Sequence, residues 1–229
     1  MTIGTTPAME ARVGHVPRMR PPALRGKVHA ACLPLVAAAG IVLVVLAPGA
    51  AARGSVAVYG ACAVALFAAS SAHHLLTSAG RPSRLAERAD HAAIFLIIAG
   101  TYTPFVILGL GGATRVSVLT AIWVAAAGGA AVRLLACPAP RWLFALLYLT
   151  LGWIALSVLP ALLSGAGPPA VVLAFVGGGF YSLGALVYVW RRPDPAPRVL
   201  GFHEVFHILT VIAFATQNVG VWLLVYGVG

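Results

Sequence analysis

His203 and His207 stand four residues apart at the head of the last apolar stretch of this chain. On a helix, positions i and i+4 share one face about 6 Å apart along the axis, and imidazole is the side chain most often found on metals. The pair reads as half of a metal site. A second polar set in apolar surroundings supplies the other half: Ser70-x3-His74, with Asp90 sixteen residues after His74. Three neutral imidazoles with a water completing a tetrahedron describe a catalytic zinc site, and nitrogen ligands favour Zn2+ over Mg2+ or Ca2+. In that arrangement Asp90 accepts a hydrogen bond from the water or serves as general base. Ser70, one turn from His74, orients the water or donates to a developing oxyanion.

The elements that must position these groups are membrane spans. The chain has 229 residues, 61% of them hydrophobic and 9% charged, with a mean hydropathy of +0.97. Soluble domains run near about 45–50% apolar and about 25% charged. At roughly 20 apolar residues per span, the pattern predicts an all-α bundle of seven transmembrane helices, over 28–47, 55–76, 90–110, 116–135, 142–162, 171–190 and 203–228. Breakers separate them: Pro48-Gly49, Arg81-Pro82, Gly111-Gly112, 138–140, 165–169 and 193–197. No connection has room for a soluble domain, so 28–229 is one unit, preceded by a Pro- and Arg-rich tail over 1–27 whose composition predicts disorder.

The net charge of +10 follows membrane topology rather than nucleic-acid binding. Arg12, Arg18, Arg20, Arg25 and Lys27 precede the first span, Arg81, Arg84 and Arg88 fill the second loop, Arg133 and Arg141 flank the fourth, and Arg191, Arg192 and Arg198 the sixth. Only Arg53 and Arg115 fall on the other side, so thirteen of the fifteen basic residues share one surface. The positive-inside rule makes that surface cytoplasmic, with the N-terminus inside and the C-terminus outside. A basic leader, an apolar run and Ala50-Ala51-Ala52 also resemble a cleaved secretory signal, but the charge segregation works with seven retained helices. Cys32, Cys62 and Cys137 form no motif and serve as small apolar side chains. Gly128-Gly129 and Gly177 to Gly179 point to close helix packing.

This topology brings the candidate ligands to one leaflet. The second span ends, and the third and seventh begin, on the basic side, so Ser70, His74, Asp90, His203 and His207 fall at similar depth. Ionisable groups in bilayer helices mark sites because insertion is costly, roughly 2.5–3.5 kcal/mol for a central Asp. The plainer reading makes His74 an interfacial residue and Asp90 the N-cap of its helix; four such groups at one depth outweigh it. His73 and His91 point about 100° away from their neighbours and stay outside the ligand set. The string His203-Glu204-Val205-Phe206-His207 also matches the H-E-x-x-H pattern of zinc proteases, where the Glu is general base. No His, Asp, Glu or Cys follows His207, however, so a third ligand has to come from upstream.

Three runs then carry a resemblance. Ser70-Ser71-Ala72-His73-His74, Asp90-His91-Ala92-Ala93-Ile94 leading to Ala99-Gly100-Thr101-Tyr102-Thr103-Pro104, and His203-Glu204-Val205-Phe206-His207, with Arg25-Gly26-Lys27-Val28-His29 before the first span, resemble the haemolysin III family. That family is the bacterial branch related to the adiponectin and progestin receptors and, more distantly, to alkaline ceramidases. The resemblance implies a seven-helix bundle with a cytoplasmic N-terminus and a zinc ion near the inner membrane surface, held by His74, His203 and His207 and accompanied by Asp90 and Ser70. One departure is His73, where an aromatic residue is expected before the ligand; the Ser-x3-His spacing selects His74.

The chemistry expected of such a site is zinc-dependent hydrolysis of a lipid amide or ester, with membrane lipids as partners, no nucleic acid, and no motif that sets an oligomeric state. A regulator of membrane-lipid homeostasis with structural zinc is the principal rival. A pore-forming haemolysin and an H-E-x-x-H protease rank below both.

Overall fold

A computed structural model describes residues 22–135 and 140–227 of the chain. The tail over 1–21 with Arg12, Arg18 and Arg20, together with Cys137, lies outside the described residues. Eight α-helices follow in order: α1 (Lys27–Leu46), α2 (Gly49–Ser78), α3 (Arg84–Gly109), α4 (Gly112–Leu134), α5 (Arg141–Trp153), α6 (Leu159–Ala166), α7 (Pro168–Trp190) and α8 (Phe202–Tyr226). A 3-10 segment, Ile154–Val158, joins α5 to α6, so that Arg141–Ala166 crosses as one unit. Seven segments of the described residues are thus long and apolar enough to span a membrane, and none of those residues forms a sheet. The protein is a multi-pass, all-helical membrane protein.

Helix α3 is the central column, with buried residues from Asp90 to Gly109, whereas α1 and α4 bury only a few positions each. Lipid tails are as apolar as leucine, so close packing and interhelical hydrogen bonds hold such helices together. Several contacts admit only glycine. A Cβ on Gly165 of α6 would lie 1.9 Å from the Gly109 carbonyl oxygen of α3, one on Gly129 of α4 would meet Phe95 at 2.4 Å, and one on Gly177 of α7 would meet Gln217 of α8 at 2.4 Å. Gly128 and Gly179 meet nothing within 4 Å, so the packing role falls to one member of each expected glycine cluster.

Three helix boundaries differ from the sequence expectation: the second span starts at Gly49 rather than 55, and the other two have local causes. The third span starts at Arg84, where Ser83 is the N-cap and accepts the Ala86 N–H at 3.3 Å; Glu87 in the first turn suits the positive end of the dipole. Asp90 is therefore inside the helix, not its cap. The fifth span is not one helix over 142–162. Pro160 lacks a donor and its ring displaces the carbonyl four residues back, and the ladder gives way to the 3-10 segment just before it. Backbone groups freed within a membrane need a partner. Tyr102 of α3 supplies it: its hydroxyl donates to the Gly152 carbonyl at 2.8 Å and accepts the Ala155 N–H at 2.7 Å.

Candidate metal centre

The start of α1, the end of α2, the start of α3 and the start of α8 meet at one end of the bundle, and four helices each bring an imidazole or a carboxylate there. His74 and His207 are 4% exposed, and the ring centroids of His74, His203 and His207 lie 4.5 to 4.9 Å apart. His74 Nε2 is 3.0 Å from His203 Nε2. One ring nitrogen from each of the three falls within 4.8 Å of the others, a group that could hold a metal ion. Tetrahedral ligation at 2.0–2.1 Å needs nitrogens about 3.3 Å apart, so small rotamer adjustments close the triad. His207 Nε2 is buried without a hydrogen-bond partner. Such an orphan is rare in a packed protein, and here it is the one a third ligand would present.

Asp90 and Ser70 border this triad. Asp90 is 8% exposed and its Oδ2 lies 3.5 Å from His74 Nε2, longer than a direct hydrogen bond. Ser70 is buried one turn below His74 with its Oγ unpartnered. All five residues named from the sequence come together. His91 is committed elsewhere, its Nδ1 donating to the Glu87 carbonyl at 2.9 Å. His73 is closer than its helical angle implies: its ring lies 4.5 Å from that of His74, and it forms a second possible metal group with His74 and Asp90.

One residue that spacing did not single out is His29. It is 3% exposed in the first turn of α1, tilted against Phe67 at 4.7 Å, and its Nε2 lies 3.2 Å from His207 Nδ1. An intramembrane histidine is itself a site signal, but this one has no partner at i±4, so its meaning depends on α1 lying beside α8.

The surroundings of Glu204 weigh against the protease reading, which the sequence already ranked low. Glu204 is fully buried; its Oε2 accepts the Gly201 N–H at 3.0 Å, and its Oε1 accepts from Arg25 Nε. Both oxygens are thus engaged, one satisfying the start of α8 as an N3 glutamate does and one pairing with a guanidinium, leaving no free base. Backbone bonds from Ala23 to Arg198 (3.0 Å) and Leu24 to Val199 (3.3 Å) extend this tie. Residues 22–27 form a strap across the end of the bundle. Gly26, at φ +77°, closes it over the site: a Cβ there would lie 2.8 Å from His74 Cβ.

A cavity of about 400 Å3 opens from the cluster into the bundle. Ser70, His74, Asp90, His203 and His207 line its polar end, and Leu66, Ile94, Ile98, Phe144, Leu149 and Phe206 give it apolar walls. A largely apolar pocket with a few convergent polar groups is the usual form of a small-molecule site.

The same chain matches the profile of the Haemolysin-III related family over residues 18–218. It is 35% identical over 141 residues to the Hemolysin-3 homolog of Bacillus subtilis (strain 168), covering 60% of this chain and 64% of the relative. It is 33% identical over 103 residues to Hemolysin-3 of Bacillus cereus, covering 45% and 47%. The matched stretches span less than two thirds of either relative. With a profile match across most of its length and seven membrane-spanning segments, this chain belongs to the Haemolysin-III related family of multi-pass membrane proteins.

Proposed function

We propose that the protein is a zinc-dependent hydrolase of membrane-lipid amides or esters, with its reaction centre on the cytoplasmic side, the side that the segregation of basic residues selects. The observation that carries this reading is the convergence of His74, His203 and His207, flanked by the buried Asp90 carboxylate, at the polar end of an apolar cavity. Zinc held by the three imidazoles supplies Lewis acidity, acidifying a water and polarising a carbonyl. Asp90 takes a proton from the attacking water and returns it to the leaving nitrogen or oxygen. Ser70 Oγ–H, which makes no close hydrogen bond although it stands near the Asp90 carboxylate, donates to the carbonyl oxygen as negative charge gathers there. Water thus adds its oxygen to the acyl carbon, the acyl–heteroatom bond breaks, and a fatty acid and a protonated headgroup amine or alcohol result. The apolar walls receive the acyl chain.

His29 has a defined part in this scheme. When its Nε2 accepts the hydrogen of His207 Nδ1, the His207 lone pair is left at Nε2 and aimed at the cluster; ligating histidines are commonly oriented this way by an outer partner. His29→Phe is expected to weaken zinc binding by about 10–100-fold in a chelator competition, while His29→Gln, which keeps an acceptor, loses less. Equal affinities in wild type and His29→Phe would remove that role.

The function itself is tested by fatty-acid release from a panel of amide- and ester-linked lipids, with purified protein before and after chelation. Asp90→Asn is expected to lower kcat by about 100-fold or more, the range of general-base contributions, while the protein still binds zinc. An unaffected lipid phenotype in Asp90→Asn, with unfolding in His203→Ala and His207→Ala, favours a regulator with structural zinc.

A further inference from the structure

The cavity is long as well as apolar, and two arginines stand among the residues that line it. Its lining on α8 runs from His203 to Gln217, fourteen residues or about 21 Å of helix, a length suited to an extended chain. At the cluster end stand Arg133, near the end of α4, and Arg141, which opens α5; both line the cavity. The guanidinium carbon of Arg133 lies 4.1 Å from the centre of the Phe144 ring, and that of Arg141 lies 5.5 Å from the centre of the Tyr188 ring. Both rings belong to the same cavity wall, so cation–π contact holds each charge at the rim.

Basic residues gather at membrane surfaces for topological reasons and commonly snorkel outward. Arg81, Arg84, Arg191, Arg192 and Arg198 behave so: all are exposed, and none lines the cavity. Arg133 and Arg141 differ in lining the cavity, Arg141 from an exposed position at the start of α5. Arg133 is half-buried, and its Nε is buried with no hydrogen-bond partner. The ion pairs among the described residues are Arg25–Glu204 and the His74–Asp90 contact, so neither cavity arginine has a carboxylate within 4.0 Å, although the charge of Arg133 is felt at Asp90. Glu87 is the one other acidic residue beside Asp90 on the wall. Forked guanidinium donors match the oxygens of phosphate and carboxylate.

We propose that the lipid taken by this cavity carries an anionic headgroup, a phosphate or a carboxylate, held by Arg133 and Arg141 while its acyl chain lies along the wall toward Gln217. The proposal rests on the hydrolase reading for the fate of that lipid but not for its binding. It separates this protein's substrate class from the neutral ceramide that the resemblance to ceramidases implies.

Binding to purified full-length protein is measured by displacement of a fluorescent acyl lipid in neutral detergent. Three competitors of matched chain length are compared: a phosphatidic acid, an N-acyl glycine and a ceramide. The anionic competitors are expected to bind at least about tenfold more tightly than ceramide, with the preference falling as salt rises; whichever of the two binds tighter identifies the headgroup. Arg133→Gln with Arg141→Gln is expected to erase that preference while ceramide binding stays as it was. Arg133→Lys with Arg141→Lys keeps the charge and folds as a control, so it retains a salt-sensitive preference. Equal affinity for all three lipids in wild type, or a preference that survives the double glutamine variant, overturns the proposal. Preference for anionic lipid without fatty-acid release supports it and removes the hydrolase reading; release without headgroup preference does the reverse.

Discussion

If the three histidines hold zinc as proposed, wild type is expected to keep the ion through dialysis and His207→Ala to lose it. The loss exceeds the roughly 10–100-fold that removal of an outer partner costs, because a ligand itself is gone. His74→Ala and His203→Ala are expected to act in the same direction, since one ring nitrogen of each of the three residues lies within 4.8 Å of the others. Metal content measured on equal amounts of folded protein checks this. Retention of zinc in His74→Ala alone would move the third ligand to His73, whose ring nitrogen also neighbours Asp90. Retention in all three variants would end the metal reading.

Arg25→Ala carries the second large effect, and it falls on stability. Glu204 is fully buried, and its carboxylate has one guanidinium and one backbone N–H for partners. Removing one member of a buried pair strands the other and costs about 3–5 kcal/mol, which corresponds to a Tm drop on the order of 10 °C for a chain of this size. Adding Glu204→Gln to Arg25→Ala is expected to recover much of the loss, because the uncompensated charge disappears. Thermal melts of the single and double variants decide it. A protease base behaves otherwise: there Glu204→Gln leaves the melting temperature unchanged and abolishes turnover. The strap adds a local consequence, since loosening Arg25 frees Gly26 from its seat against His74.

Much of this was legible because two strong signals coincide. Hydropathy and the positions of basic residues set the number of spans and their alternation, and alternation alone puts the ends of α2, α3 and α8 together. The i, i+4 pair His203 and His207, with Ser70, His74 and Asp90, then follows from helical geometry. What escaped depends on contacts between distant segments. His29 stands alone in its helix, so only α1 packing beside α8 reveals its bond to His207. Glu204 looked like part of a zinc-protease motif because its sequence neighbours are histidines; Arg25, 179 residues away, decides its role. Asp90 looked like a helix start because the charged turn before it, Arg84 to Arg88, is not apolar, whereas Ser83 is the residue with the capping bond. Pro160 was visible in the fifth span, but apolar residues run on both sides of it and masked the break.

That break has a mechanical outcome. A continuous α-helix resists bending along its whole length, while a stretch of 3-10 turn is a weak point in the rod. The second half, α6, is pressed backbone to backbone on α3 at Gly165 and Gly109; the first half, α5, forms the wall that carries Phe144 and Tyr148. One tyrosine hydroxyl, that of Tyr102, bridges the joint. The fifth crossing is thus jointed between a half packed on α3 and a half that lines the cavity, and a pair of hydrogen bonds spans the joint.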